Sequence, residues 1–244
     1  MLRMHQEREA IMRIRARIDA ASDTDEDLSP DNHTSWKGPR VQFGSPDRNG
    51  KILATKFVHQ HIQIDPGAQE MELHLRTFLY QCVGGFGSRK HFRKKDLPLL
   101  DGMVVSVYNL ITVSYVSMLD SQDGLDIIRV TDSWRNQGPR HDYVLAQNEN
   151  SDELFVARIL KVFRLKARGE WYSIAYIHPY KIGRRNKSTG YINLIDTKTR
   201  NFMFSESIIR SCVVLSPNGH DSPGSEHVLW DLEGPDMYIR LQDI

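Results

Sequence analysis

The spacing of hydrophobic positions changes several times along this 244-residue chain. In residues 1–20, Met4, Ile11, Ile14 and Ile18 recur near a 3–4 spacing, with Arg3, Arg8, Arg13, Arg15 and Arg17 around them. That is a thin amphipathic stripe, which predicts a basic helix in need of a partner. Residues 21–50 lose the period. They are acidic first (Asp23, Asp25, Glu26, Asp27) and then rich in Pro, Gly, Ser and Asn, which predicts a linker. "KILATKFVHQHIQI" alternates partially and predicts a strand, with His59 and His61 on one face. "PGAQEMELHLRTFLYQCV" returns to helical spacing. Met71, Leu75, Phe78, Leu79 and Cys82 form a stripe wide enough to dock on a core, with Pro66 and Gly67 just before its start and "GGFG" ending it.

From Met103 the pattern becomes β-like. "MVVSVYNLITVSYVSM" is rich in Val, Ile, Thr and Tyr and too long for one unbent strand, so a break is expected near Asn109. Short apolar runs then recur at regular intervals between polar turns such as "NENSD", "GRRNKST" and "TKTRN". This spacing predicts an antiparallel barrel or sandwich. In "EWYSIAYIH" both alternating sets are apolar or aromatic, so this strand is expected to be covered on two sides. Ser205 stands as an N-cap for a single turn in "FSESIIRSC", and the tail "EHVLWDLEGPDMYIRLQDI" is expected to dock. The predicted class is mainly β with a few helices (α+β). It is an antiparallel, partly open barrel of SH3/BAH-like shape preceded by an amphipathic helix. The expected division is 1–20 basic helix, 21–50 linker, 51–142 helix plus β extension, and 143–244 barrel with its docking tail.

Charge narrows the function. The net charge of +1 gives no global attraction to nucleic acid or membrane, so a basic contact surface must be local. Two segments qualify: Arg89, Lys90, Arg93, Lys94 and Lys95 in one, and Lys181, Arg184, Arg185 and Lys187 in the other. Each also reads as an ordinary solvated loop. Cys82 and Cys212 are the only cysteines, which is no disulfide framework and fits a reducing compartment. No apolar run approaches the ~20 residues of a membrane helix. The charged N-terminus is no secretory signal, so the expected location is nuclear or cytoplasmic, with no membrane partner.

No nucleophile–base motif, zinc signature or P-loop is present. Asp120, Asp123, Asp126 and Asp132 have loop spacing, and His59 with His61 lacks a third metal ligand, so no catalytic residue, metal or cofactor is expected. Trp134, Tyr143, Trp171, Tyr172 and Tyr176 are candidates for an aromatic cage around a methylated lysine, or else for core positions. "DSWRNQGPRHDYVLAQ" (132–147) reads as a junction. Trp134 is expected to pack the two halves together, at about 3–5 kcal/mol on truncation to alanine, and Arg140 to pair with Asp142.

In order, "VVSVYNLITVSYV", "IIRVTDSWRNQGPRHDYVLAQ", "VARILKVFRL", "WYSIAYIHPY" and "FSESIIRSCVVL" resemble the C-terminal region of fungal Tnp2-like (CACTA/Plavaka-type) DNA transposases. The likeness spans roughly Leu97 to Leu215. It implies the accessory end of a transposase without the catalytic RNase-H-like core, since about a hundred residues precede the match. The loop "SMLDSQDGLD" departs from that family's glycine-rich, proline-containing run. Three functions follow as expectations. The first is a non-enzymatic, transposon-derived module contacting DNA or a nucleoprotein partner through the basic loops. The second is a chromatin or peptide reader using the aromatic cage, and the third a metal-dependent nuclease or hydrolase.

Overall fold

The computed structural model describes residues 40–83, 93–135, 138–148, 151, 153–216 and 227–242. Their order is β1 (Val41–Phe43), β2 (Pro46–Leu53), α1 (Ala54–Ile64), α2 (Met71–Cys82), β3 (Val104–Tyr108), β4 (Leu110–Val116), β5 (Asp123–Thr131), β6 (Arg140–His141) and β7 (Tyr143–Gln147). Then follow β8 (Leu154–Ala167), β9 (Glu170–Arg185), β10 (Ile192–Asp196), β11 (Asn201–Phe204), β12 (Ile208–Leu215), β13 (His227–Trp230) and α3 (Pro235–Arg240). The basic helix expected over 1–20 and the first part (21–39) of the linker expected over 21–50 lie outside the described residues. The end of that linker is corrected, because Val41–Phe43 and the start of Pro46–Leu53 are strands paired with β4 and β3.

The two long strands, β8 and β9, organise everything else. They pair from Phe155↔Lys181 to Ala167↔Glu170 across a two-residue turn. Arg168 (φ 52°) and Gly169 (φ 89°) are both left-handed there, the conformation that matches the natural twist of a hairpin. Near their outer ends the strands belong to a ring, in which β9, β10, β13, β12, β7 and β8 are hydrogen-bonded in sequence. Leu145, Val156, Tyr180, Ile192, Leu194 and Leu229 form the core of this part, and Met237 and Leu241 of the tail join it. The fold is thus mainly β, antiparallel and partly ring-shaped, as the turn spacing predicts. The tail does more than dock, because His227–Trp230 is itself a ring strand.

Toward the hairpin turn, β8 exchanges β7 for β3, and β9 exchanges β10 for β11. Both faces of this extension are covered at Ile174–Ile177, the middle of "EWYSIAYIH", whereas Trp171 and Ser173 at its start are only partly buried. Val105, Phe163, Leu165, Ile174 and Tyr176 meet the helices through Ala54, Phe57, Val58, Met71, Leu75 and Leu79. On the other face, Tyr108, Val162, Ala175 and Ile177 meet Val41, Ile111, Val113, Ile128 and Val130 of a small sheet, ordered β1-β4-β5-β6. The break expected near Asn109 is real: β3 belongs to the main sheet and β4 to the small one.

Three local expectations are corrected. Residues 54–64 are helix, not strand. Ala54, Phe57, Val58 and Ile62 fall at i, i+3, i+4 and i+8 against the core, a helical face that the partial alternation concealed. His59 and His61 therefore share no face, being about 200° apart around the helix. On α2, Cys82 is exposed, and the stripe ends at Leu79 with Val83 buried beyond it. Ser205 is buried inside its 3₁₀ turn, and the cap position is Phe204, whose side chain makes no capping bond.

An ion network ties the tail to both sheets. Asp236 accepts hydrogen bonds from Arg210 Nη1 (2.6 Å), Arg240 Nε (2.8 Å) and the Met118 amide (2.6 Å). Arg210 also lies 3.4 Å from Asp126 and 4.2 Å from the centre of the Tyr115 ring. That ring rests on Gly124, where a Cβ would stand 2.4 Å from it.

Candidate functional site

Among the described residues, a cluster of positive charge lies in the segment read as a junction. The β5–β6 pairing sets Val130 opposite His141 and Thr131 opposite Arg140. Ile128 and Val130 face the core, so alternation sends Arg129 outward. The loop closes where the Trp134 amide donates to the Gly138 carbonyl at 2.7 Å, with Gly138 at φ 107°. These constraints gather three guanidinium groups on one indole. Arg140, Arg135 and Arg129 stand 4.9, 5.2 and 5.4 Å from the Trp134 ring centre. A guanidinium held over a ring keeps its in-plane N–H groups free for an anion.

Asp142 fixes the arrangement. It accepts from Arg140 Nε at 2.9 Å and from the Arg129 amide at 2.8 Å. Arg140 and Asp142 thus pair as expected. Next to them, Asp132 pairs with Lys161 and lies 3.6 Å from His141 Nε2. These two neighbours, His141 foremost, hold the Asp132 carboxyl well below the ordinary carboxylate range. Four cations therefore face two carboxylates. Among the described residues, no carboxylate pairs with the guanidinium of Arg129 or Arg135.

Trp134 is only half-buried and lies outside the core clusters. The core role expected for it is corrected, because its faces are taken by arginines rather than aliphatic side chains. Trp134→Ala is now expected to cost about 1–2 kcal/mol, the sum of exposed cation–π contacts, rather than a core aromatic's value. Chemical denaturation of the variant measures it.

Among the described residues, the two basic loops are not brought together as a single surface. Arg89 and Lys90 lie outside the described residues. Arg93, Lys94 and Lys95 are exposed beside a 3₁₀ turn. The chain just after them is held by Arg76, which donates to the Pro98 and Leu97 carbonyls at 2.9 and 3.2 Å. Lys181 is exposed and lines a cleft with His74, Thr77, Phe78, Gln81 and Cys82 of α2. Arg76 is roughly 170° around the helix from the centre of that set, so Lys181 and the chain at Leu97–Pro98 flank α2 on opposite sides. Arg184 and Lys187 are exposed near the β9–β10 turn. Arg185 is not available as a contact. It pairs with the fully buried Asp231 at 2.7 Å and donates to the Gly190 carbonyl at 2.9 Å.

The five cage candidates do not converge either. Tyr176 is buried in the core against Phe202. Trp171 and Tyr172 are neighbours on one strand and so point to opposite faces. Tyr143, next in sequence to Asp142, lies against Tyr180 and Arg158. The cleft, about 500 Å³, is lined by none of the five.

The acidic set is dispersed. Asp120 accepts from the Gln122 amide, Asp126 from the Ser211 amide, and Asp132 is taken by Lys161. The acidic cluster Asp23–Asp27 lies outside the described residues. Among those described, no group of three His, Cys, Asp or Glu side chains is placed to hold a metal. No helix there is long and apolar enough to cross a membrane.

No protein-family model matches the chain, and no curated protein matches it in sequence.

Proposed function

We propose that this chain is a non-enzymatic, transposase-derived binding module that holds nucleic acid through the arginine cluster on Trp134. The observation that carries this reading is the stacking of Arg129, Arg135 and Arg140 on one indole, two of them without a carboxylate partner among the described residues. Phosphate oxygens would satisfy the in-plane donors left open, as they do wherever arginine binds phosphate. The resemblance to a transposase's accessory end agrees with such a ligand. Relative to the sequence expectation, the contact moves from the basic loops into the segment between them.

Binding of labelled duplex DNA at several salt concentrations tests the proposal. Wild type is expected to bind with a steep salt dependence. Arg129→Ala with Arg135→Ala is expected to weaken binding about tenfold to a hundredfold and to flatten the log–log salt slope by about two. Absent or salt-insensitive binding by wild type overturns it. So does an unchanged slope in the double variant.

A further inference from the structure

A second basic aromatic surface lies on the open part of the main sheet, where the small sheet does not reach. Strand register places it unambiguously. Lys51 pairs with Ser106, Ser106 with Arg164, and Arg164 with Ser173, so these four form one row across β2, β3, β8 and β9. The next row outward is Leu53, Val104, Lys166 and Trp171. Directly paired residues share a face, and Ile52, Val105, Phe163, Leu165 and Ile174 occupy the opposite one, under the helices. Lys51 and Lys166 are exposed, Leu53 is 52% exposed and Trp171 is half-buried.

Lys51 Nζ and the Arg164 guanidinium stand 5.5 and 5.7 Å from the Trp171 ring centre. Arg164 Nε is buried with no hydrogen-bond partner among the described residues. No carboxylate occupies any position of the two rows, and none pairs with Lys51, Arg164 or Lys166 among the described residues. The rows span about 14 Å across four strands. A flat apolar-and-indole surface flanked by uncompensated cations is complementary to a ligand that carries both anionic charge and flat, stackable faces.

We infer that this face binds single-stranded nucleic acid, with a base stacked at Trp171 and phosphates taken by Lys51, Arg164 and Lys166. The inference rests on the nucleic-acid reading of the Trp134 cluster and adds the strandedness of the ligand. A duplex hides its base faces, so only an unpaired strand can use the indole. The two surfaces are close enough for one strand. Arg129 pairs with Leu110, and Arg164 with Ser106. Leu110 follows Ser106 by four positions, which limits the backbone distance between the arginines to roughly 25 Å.

The test uses the full chain, a labelled oligothymidylate and a labelled hairpin duplex, at low salt. Trp171→Ala is expected to weaken oligothymidylate binding about tenfold and to leave duplex binding within about twofold. Trp171→Phe keeps an aromatic face and is expected to recover most of the loss, which guards against a misfolded alanine variant. Lys166→Glu, at an exposed position, is expected to weaken the single strand as well. Ultraviolet cross-linking of the oligothymidylate is expected to mark Trp171. Unchanged single-strand affinity in Trp171→Ala and Lys166→Glu overturns the inference, as does polyglutamate competing as well as the oligothymidylate. If Arg129→Ala with Arg135→Ala still loses duplex binding in that case, the Trp134 proposal stands alone. Wild type binding neither probe overturns both.

Discussion

Asp236→Ala is expected to destabilise the fold by about 3–5 kcal/mol, read as a lowered urea midpoint at neutral pH. The carboxylate is buried and receives three donors, two of them guanidinium groups. Its removal leaves Arg210, itself mostly buried, with Asp126 as its remaining carboxylate. It also frees Arg240, which otherwise holds the Val116 carbonyl from the tail. The cost arises less from lost attraction than from cations stranded out of water. A loss below about 1 kcal/mol would show that the network is solvated in solution.

The same group gives a pH dependence. Burial pushes the Asp236 carboxyl up, and hydrogen bonds from Arg240, the Met118 amide and Arg210 more than reverse this, holding it below its ordinary value of 3.8. A carboxyl whose folded value is depressed stabilises the fold fully above its unfolded value. That stabilisation is lost as pH falls through the folded one. Wild type is therefore expected to lose stability below about pH 4, and Asp236→Ala to lose less over the same interval. Parallel acid profiles would contradict the assignment.

Phe163→Ala is the second large effect, expected at about 3–5 kcal/mol. Phe163 is fully buried at the centre of the helical layer, with ring centres 4.9 Å from Phe57 and 6.1 Å from Phe202. It is flanked in the sheet by Val107 and Ile174. Its neighbours sit on a strand fixed by pairing on both sides and cannot collapse far into the cavity, which places the cost at the upper end for a buried aromatic. The comparison with Trp134→Ala is informative. The larger ring is expected to cost less, because arginines in water cover it. Thermal unfolding of both variants, side by side, decides this.

These contrasts explain what the sequence discloses. Strand-forming runs between polar turns are strong local signals, so the β character and the break at Asn109 are legible. The two-sided covering of Ile174–Ile177 within "EWYSIAYIH" is legible too, since a strand exposed on one side would carry polar residues there. Residues 54–64 misled because His59, His61 and Gln63 interrupt a helical face with alternating polar positions, and the covering partner, Phe163, lies about a hundred residues away. The arginine cluster needed more still. Arg129 and Arg140 are eleven positions apart, and only the hairpin register, with Asp142 between them, brings both to Trp134. Arg185 shows the converse: it looks like surface charge until a carboxylate forty-six positions later is found buried against it.

The late position of β13 has a consequence for synthesis. The β8–β9 hairpin is local and can form as soon as residue 185 has emerged. The ring cannot close until His227–Trp230 arrives, because among the described strands that one joins β10 to β12. Until then a nascent chain presents two unpaired edges, rich in Ile, Leu and Val, to whatever surrounds the ribosome. Chains cut short before residue 227 are expected to aggregate rather than fold to a smaller version of the same structure, a behaviour that sedimentation of truncated translation products would reveal.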